Sequence, residues 1–237
     1  MNGPTLIALG DVGSTNDEAL SRLTGEGPLW VTAERQLSGR GRRARQWVSE
    51  AGNLYASCAM RTDLTGDAFS ALPLAAAVSL GEVLEGLGIR PELKWPNDVL
   101  IGGRKVSGIL LESQSAGAVR TIVFGFGVNV SHHPSEVDAT HLREHAPVHI
   151  SDVRDRLMQR LAANVATLSS PGGVSAIREA WLSRAVGIGS PITVRLPAGS
   201  IDGRFEGLDD AGRLILDAGG TVHTIAAGDV FIHRERL

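Results

Sequence analysis

The 237-residue sequence holds one cysteine, one tyrosine and five phenylalanines. A lone Cys58 forms no internal disulfide, which points to a reducing cytoplasm; lying in the apolar run ASCAM with no base or helix start beside it, it is expected to be a buried, inert thiol. Aromatics make up only 4% of the chain, too few for the interleaved stacking surface of a single-strand nucleic-acid binder. Positive charge is not in excess either. The net charge of −3 argues against bulk attraction to DNA or to anionic membrane. No apolar run nears the ~20 residues of a membrane span, and the opening MNGPTLIALG lacks the basic and apolar regions of a signal peptide. There is no Walker A sequence, so an ATP site here is not a P-loop. Gly125 and Gly127 imitate the start of a dinucleotide fingerprint, but Val130 stands where its third glycine belongs and both glycines fall inside a strand pattern. Repeats and low-complexity segments are absent.

What is present is one concentrated patch of charge. Residues 36–47, QLSGRGRRARQW, carry Arg40, Arg42, Arg43 and Arg45 within six positions of an acidic protein. Gly39 and Gly41 alternate with arginines, so the backbone can approach a ligand closely while guanidinium forks offer paired donors to phosphate or carboxylate. Such a loop holds an anion, and its glycines lead us to expect mobility when it is empty and order when it is filled. Only Leu37 within it is expected to be buried. Trp47 closes it with a flat face for a base or ring. The plain alternative is a solvated basic loop; another is an RGG-like nucleic-acid patch.

The flanking chain reads as alternating strands and helices. Residues 5–9 form a strand leading to Ser14, whose spacing to Asp17 is that of a capping box before a helix over 16–23. Ser14, Thr15 and Asn16 together also make a compact polar cluster suited to a small neutral ligand. Strands are expected at 29–33, 53–60 and 121–130, with a core helix over 69–87 that tolerates Pro73 in its first turn. In LKWPND, Pro96 extends Trp95 and fixes Asn97 and Asp98 in a turn. A hairpin follows through Gly102 and Gly103, with Lys105 and Gly108 on its second strand; a glycine there marks a close approach by something else. His132, His133, His141, His145 and His149 suggest a metal site only weakly, because Pro147 interrupts the series and neither acid nor cysteine completes it. Helices are expected over 151–168 and 174–186, and from Gly187 five short strands in about 50 residues predict a small barrel.

Taken together, STN at 14–16, GRGRRAR at 39–45 with Trp47, KWPND at 94–98, RKVSGILLE at 104–112 and GVNV at 127–130 resemble, in order and spacing, the signature motifs of the biotin protein ligases. Ala44 departs from a frequent glycine, and His233 stands, beside Arg234, where many members have arginine. The resemblance implies an α+β fold: a mixed sheet packed with helices, of class II synthetase-like type, over residues 1–186, plus an SH3-like C-terminal β-barrel over 187–237. It implies that biotin and MgATP give biotinyl-5′-adenylate and pyrophosphate, and that biotin then passes to one lysine of a biotin carboxyl carrier domain. By the same resemblance Ser14, Thr15, Asn16, Gln36, Gly39, Arg40, Lys105 and Gly108 bind biotin. Arg42, Arg45, Trp47, Asn97 and Asn129 hold ATP and adenylate, while Arg42, Lys105 and Asp98 are catalytic. Magnesium arrives with the nucleotide, and no protein-held metal is implied. A homodimer is allowed. The Ser14 motif begins too early for the winged helix of repressor members, so no DNA binding is expected. A lipoate ligase-like acyltransferase would lack the GRGRR loop and the KWPND turn, and an RNA-binding module is disfavoured by the acidic charge.

Overall fold

The structure, a computed structural model, describes residues 4–116 and 119–233. Its first sheet has seven strands: β1 (Thr5–Val12), β2 (Leu29–Gln36), β3 (Leu54–Thr62), β4 (Glu92–Lys94), β5 (Asp98–Ile101), β6 (Arg104–Ala116) and β7 (Val119–Val128). They lie in the order β1-β2-β3-β7-β6-β5-β4, with β1 parallel to β2 and every other pair antiparallel. The helices are α1 (Thr15–Arg22), α2 (Gly66–Ser70), α3 (Leu72–Glu85), α4 (Ile150–Leu168) and α5 (Gly173–Leu182).

Strand alternation sorts the two faces. Trp30 on β2, Ala56, Cys58 and Met60 on β3, and Ile122, Phe124 and Phe126 on β7 pack with α3, α4 and α5 in the main core, where the Trp30 and Phe126 rings stack at 6.2 Å. The intervening positions face α1, where Ala19, Leu29, Val31, Ala59 and Val123 form a smaller cluster. The same face carries Ser57, Gly125 and Gly127, which are the start of the site. Cys58 is fully buried, and burial pushes its thiol far up, as expected of an inert cysteine.

Residues 191–232 form a second sheet of β8 (Pro191–Leu196), β9 (Gly199–Leu208), β10 (Leu214–Ala218), β11 (Thr221–Ile225) and β12 (Asp229–Ile232), ordered β11-β10-β9-β8-β12. All five expected strands are present, in an SH3-like arrangement, but among the described residues no ladder joins β11 to β12, so the sheet is open where a closed barrel was expected. Ile192, Phe205, Leu208, Leu214 and Leu216 belong to the main core, and the Trp95 indole donates to the Gly212 carbonyl at 3.1 Å.

Four local expectations need correction. The helix over 69–87 is two, because the chain turns at Ala71 before Pro73 enters the first turn of α3. The helix over 174–186 ends at Leu182, after which Val186 pairs its N–H with the Leu93 carbonyl. Ser14 takes the cap position of α1 in extended conformation but makes no side-chain capping bond, and the N–H of Thr15, the first helical residue, donates to the Gln36 amide oxygen at 2.9 Å. Leu37 is 74% exposed.

Candidate functional site

A cavity of about 540 Å³ opens on the α1 face of the first sheet and extends to the start of β12. One end is neutral and polar. Ser14, Thr15 and Asn16 are buried there at the start of α1, over Ser57. The Ser57 hydroxyl lies 2.7 Å from the Thr15 hydroxyl and 2.6 Å from the Asn16 amide oxygen, and the Thr15 hydroxyl lies 3.0 Å from the Gln36 amide oxygen. Two hydroxyl protons can fill only two of these three contacts, so one pair of oxygens meets without a proton and keeps acceptor capacity for a ligand N–H. The Asn16 amide nitrogen is already used, donating to Glu112 at 2.6 Å, and the Gln36 nitrogen donates to Ser49 at 3.1 Å.

The middle of the cavity is shaped by glycines. Gly127 lies opposite Gly108 across β7 and β6, and Gly125 opposite Ser57 across β3. A methyl on Gly127 would meet the Trp47 indole at 2.4 Å, and one on Gly125 the Asn16 amide oxygen at 2.4 Å. The close approach expected over Gly108 is made by the Trp47 ring, 3.0 Å from where its Cβ would stand. The glycines that mimic a dinucleotide fingerprint therefore clear space for two site side chains. The Trp47 indole N–H is buried and has no partner among the described residues.

The other end is cationic. Lys105 sits 5.3 Å from the Trp47 ring centre and pairs with Asp98 at 2.6 Å; both side chains are partly exposed, so the pair is solvent-screened and the ammonium keeps further donors for an anion. Its backbone is pinned by the segment after Asn129, with Lys105 N–H donating to the Asp138 carbonyl and Thr140 N–H to the Lys105 carbonyl. Asn129 donates its side-chain N–H to the Thr140 carbonyl at 3.1 Å. Asn97 donates to the Ile109 carbonyl at 2.5 Å and turns its oxygen toward Arg42, 3.5 Å away.

The arginine loop folds over this end as a tight hairpin. Gly41 N–H donates to the Arg45 carbonyl, Trp47 N–H to the Gly39 carbonyl, and Arg43 adopts a left-handed φ of 55°. Gly39 does not line the cavity but backs it; a Cβ there would strike the Trp47 carbonyl at 2.6 Å. Arg40 pairs with Asp17 at 2.6 Å. Arg42 is partly buried, and desolvation lowers its pKa from the usual value.

Every other residue expected to bind or catalyse, from Ser14 to Asn129, lines this one cavity. Ser57, Glu112, Gly125, Asp229 and the wall of residues 134–139 were not anticipated. The period-two pattern of β3 and β7 places Ser57 and Gly125 on the site face once the strands are paired; nothing local marks Asp229. His233 lies outside the cavity, bonded to the Thr193 hydroxyl at 2.7 Å, and Arg234 lies outside the described residues. The acid missing from the histidine series is Glu144, 3.4 Å from His133 and 3.5 Å from His141, but Arg104 already holds its carboxylate at 2.9 Å. Among the described residues no group of three or more His, Cys, Asp or Glu is placed to hold a metal. Of the carboxylates that line the cavity, Asp98 and Asp229 are paired with cations, and Glu136 and Asp138 stand on the wall of residues 134–139.

The chain matches the model of the biotin/lipoate A/B protein ligase family over residues 11–129 and that of the biotin protein ligase C-terminal domain over 187–232. It is 38% identical to the biotin–[acetyl-CoA-carboxylase] ligase of Paracoccus denitrificans, covering 92% of this chain and 96% of that one. With the enzyme of the same name from Mycobacterium tuberculosis it shares 35% identity over 95% and 88% of the two chains. The biotin protein ligase of Aquifex aeolicus, solved with biotin and ATP, superposes with a TM-score of 0.82 at 28% identity, covering 98% and 99%.

Proposed function

The chain belongs to the biotin protein ligases of the biotin/lipoate A/B protein ligase family, and we propose how its site carries out ATP-dependent biotin ligation. The observation that carries the reading is a single cavity with a neutral hydrogen-bonding end and a cationic end. Biotin has that polarity: an uncharged ureido head and a carboxylate tail.

The ureido N–H groups are received by the spare acceptors among Thr15, Ser57 and Gln36, with Ser14 beside them. Asn16 presents its oxygen to the same place. Gly39 and Arg40 frame the loop above, Gly108 gives the flat floor, and Lys105 meets the carboxylate. ATP enters at the cationic end, where Trp47, Asn97, Asn129 and Arg45 bound the nucleotide. A biotin carboxylate oxygen attacks the α-phosphorus, the bond to the bridging oxygen breaks, and pyrophosphate leaves. Arg42 and Lys105 offset the charge that gathers on the phosphoryl oxygens, from positions already fixed before the reaction. Magnesium accompanies the nucleotide phosphates, and no residue here is assigned to it. The folded loop keeps water off the mixed anhydride.

In the second half-reaction a neutral lysine amine of a carrier domain attacks the acyl carbon and AMP leaves. Asp98, beside Lys105, accepts the amine proton. We place the catalytic unit at 1–186 and the second at 187–237, and assign the protein to the cytoplasm, where Cys58 stays reduced. The test is transfer: with biotin, MgATP and an isolated biotin carboxyl carrier domain, the carrier gains the mass of one biotinyl group on one lysine. A carrier left unmodified while the same preparation binds biotin overturns the assignment.

A further inference from the structure

The chain leaves the first sheet after Val128, and the stretch from Asn129 to Ala139 supplies one wall of the cavity. At the root of that wall, the N–H groups of Val130, Ser131 and His132 lie beyond the last ladder pair, Leu54 with Val128. All three point at one acceptor, the side-chain oxygen of Asn53, at 2.8, 3.0 and 3.4 Å. The Asn53 nitrogen donates to the His132 carbonyl at 3.0 Å and lies 3.5 Å from the His132 Nδ1, while Nε2 of that ring sits 2.9 Å from the Ala51 carbonyl oxygen. Only the oxygen of an amide accepts and only its nitrogen donates, so these partners fix the orientation of the Asn53 side chain. It is 6% exposed and does not line the cavity.

The residues it holds are tied on their other side to the elements that carry the nucleotide end. Asn129 donates its backbone N–H to the Val106 carbonyl at 2.8 Å and its side-chain N–H to the Thr140 carbonyl at 3.1 Å, and the Val130 carbonyl accepts the Arg143 N–H at 3.1 Å. Asn53 thus stands in for the backbone partner that β3 no longer supplies past Leu54. The neutral end is tied elsewhere: Thr15, Asn16, Gln36 and Ser57 bond to one another, to Glu112 and to Ser49.

We propose that Asn53 is a positioning residue for the nucleotide half of the site: its amide fixes the root of the wall and, through it, the place of Asn129, without touching substrate. This rests on the reading above that puts ATP at that end of the cavity.

Steady-state kinetics of biotin-dependent pyrophosphate exchange by the full chain test it, with biotin affinity measured in parallel by calorimetry. Asn53→Ala should raise the KM for ATP about tenfold, the scale of leaving buried N–H groups without an acceptor, with kcat and the Kd for biotin within about twofold of the parent. A role in stability alone would lower Tm without splitting the two substrates. Combined with Asn129→Ala, the Asn53 replacement should add little to the ATP defect of Asn129→Ala alone, because it acts through that residue. Should Asn53→Ala fail to fold, Asn53→Asp decides: one oxygen still accepts while the other faces the His132 carbonyl, so the KM for ATP should rise severalfold at parental biotin affinity. A parental KM for ATP, or biotin and ATP affinities that fall together, overturns the assignment. No biotin-dependent exchange in the parent would sink the ATP reading and this inference with it; exchange in the parent with an unchanged KM in the variants sinks this inference alone.

Discussion

The amide nitrogen of Asn16 donates to the Glu112 carboxylate at 2.6 Å, and this contact decides which end of the Asn16 amide faces the polar cluster. A carboxylate accepts and never donates when ionised, so only one amide orientation is compatible with it, leaving the oxygen to Ser57 and the cavity. Glu112→Gln removes that bias while preserving size. We expect biotin affinity to fall about tenfold, the scale of one charge-assisted hydrogen bond, with the KM for ATP unchanged. Titration calorimetry with biotin checks this; parental affinity would detach Glu112 from ligand recognition.

Two glycines on β7 should separate the halves of the site. Gly125→Ala drives a methyl into the Asn16 oxygen and Gly127→Ala drives one into the Trp47 indole, each at 2.4 Å. Overpacking of this kind costs about 1–3 kcal/mol, tolerable for the fold. The first variant is expected to lose biotin affinity selectively and the second ATP affinity. Identical kinetic defects in both would contradict the division of the cavity.

Lys105→Ala should slow adenylation by roughly a hundredfold while weakening biotin binding far less, because its charge counts most as the phosphorus gathers a fifth oxygen. The replacement also strips Asp98 of its 2.6 Å partner. Rapid-quench measurement of burst-phase adenylate reads the step directly. An unaltered burst would remove Lys105 from the chemistry.

His141 gives a pH prediction. Burial lowers its pKa below the usual 6.5, with Glu144 opposing and His133 adding to the shift. A depressed folded-state value means that the unfolded chain takes up the proton first, so this contribution is whole above about pH 6.5 and is lost as pH falls below it. Thermal unfolding from pH 7.5 to 5.5 should show a falling Tm, and His141→Gln should flatten the fall. An identical slope in the variant would exclude His141 as its source.

Much of this was readable from local pattern. The apolar spacing of α3, the hairpin through Gly102 and Gly103, and the five short C-terminal strands are set by neighbours in sequence, and their motifs converge on one cavity. What escaped was set by register and by distant partners. Ser14 makes no side-chain capping bond, and the Thr15 N–H is satisfied instead by Gln36, twenty-one residues beyond Thr15. Ser57 and Glu112 join Asn16 only once β3, β7 and β6 are paired. The contact of Arg45 with Asp229, a carboxylate 184 residues away, has no motif of its own in the sequence.

The most direct measurement of the central claim is biotin-dependent exchange of labelled pyrophosphate into ATP. Adenylation of biotin is reversible through the pyrophosphate it releases, so the account predicts exchange that requires both biotin and magnesium and falls sharply in Lys105→Ala. A lipoate ligase-like activity would exchange with lipoate in place of biotin, and an RNA-binding module would not exchange at all. Absence of biotin-dependent exchange in folded, biotin-binding protein would contradict the account.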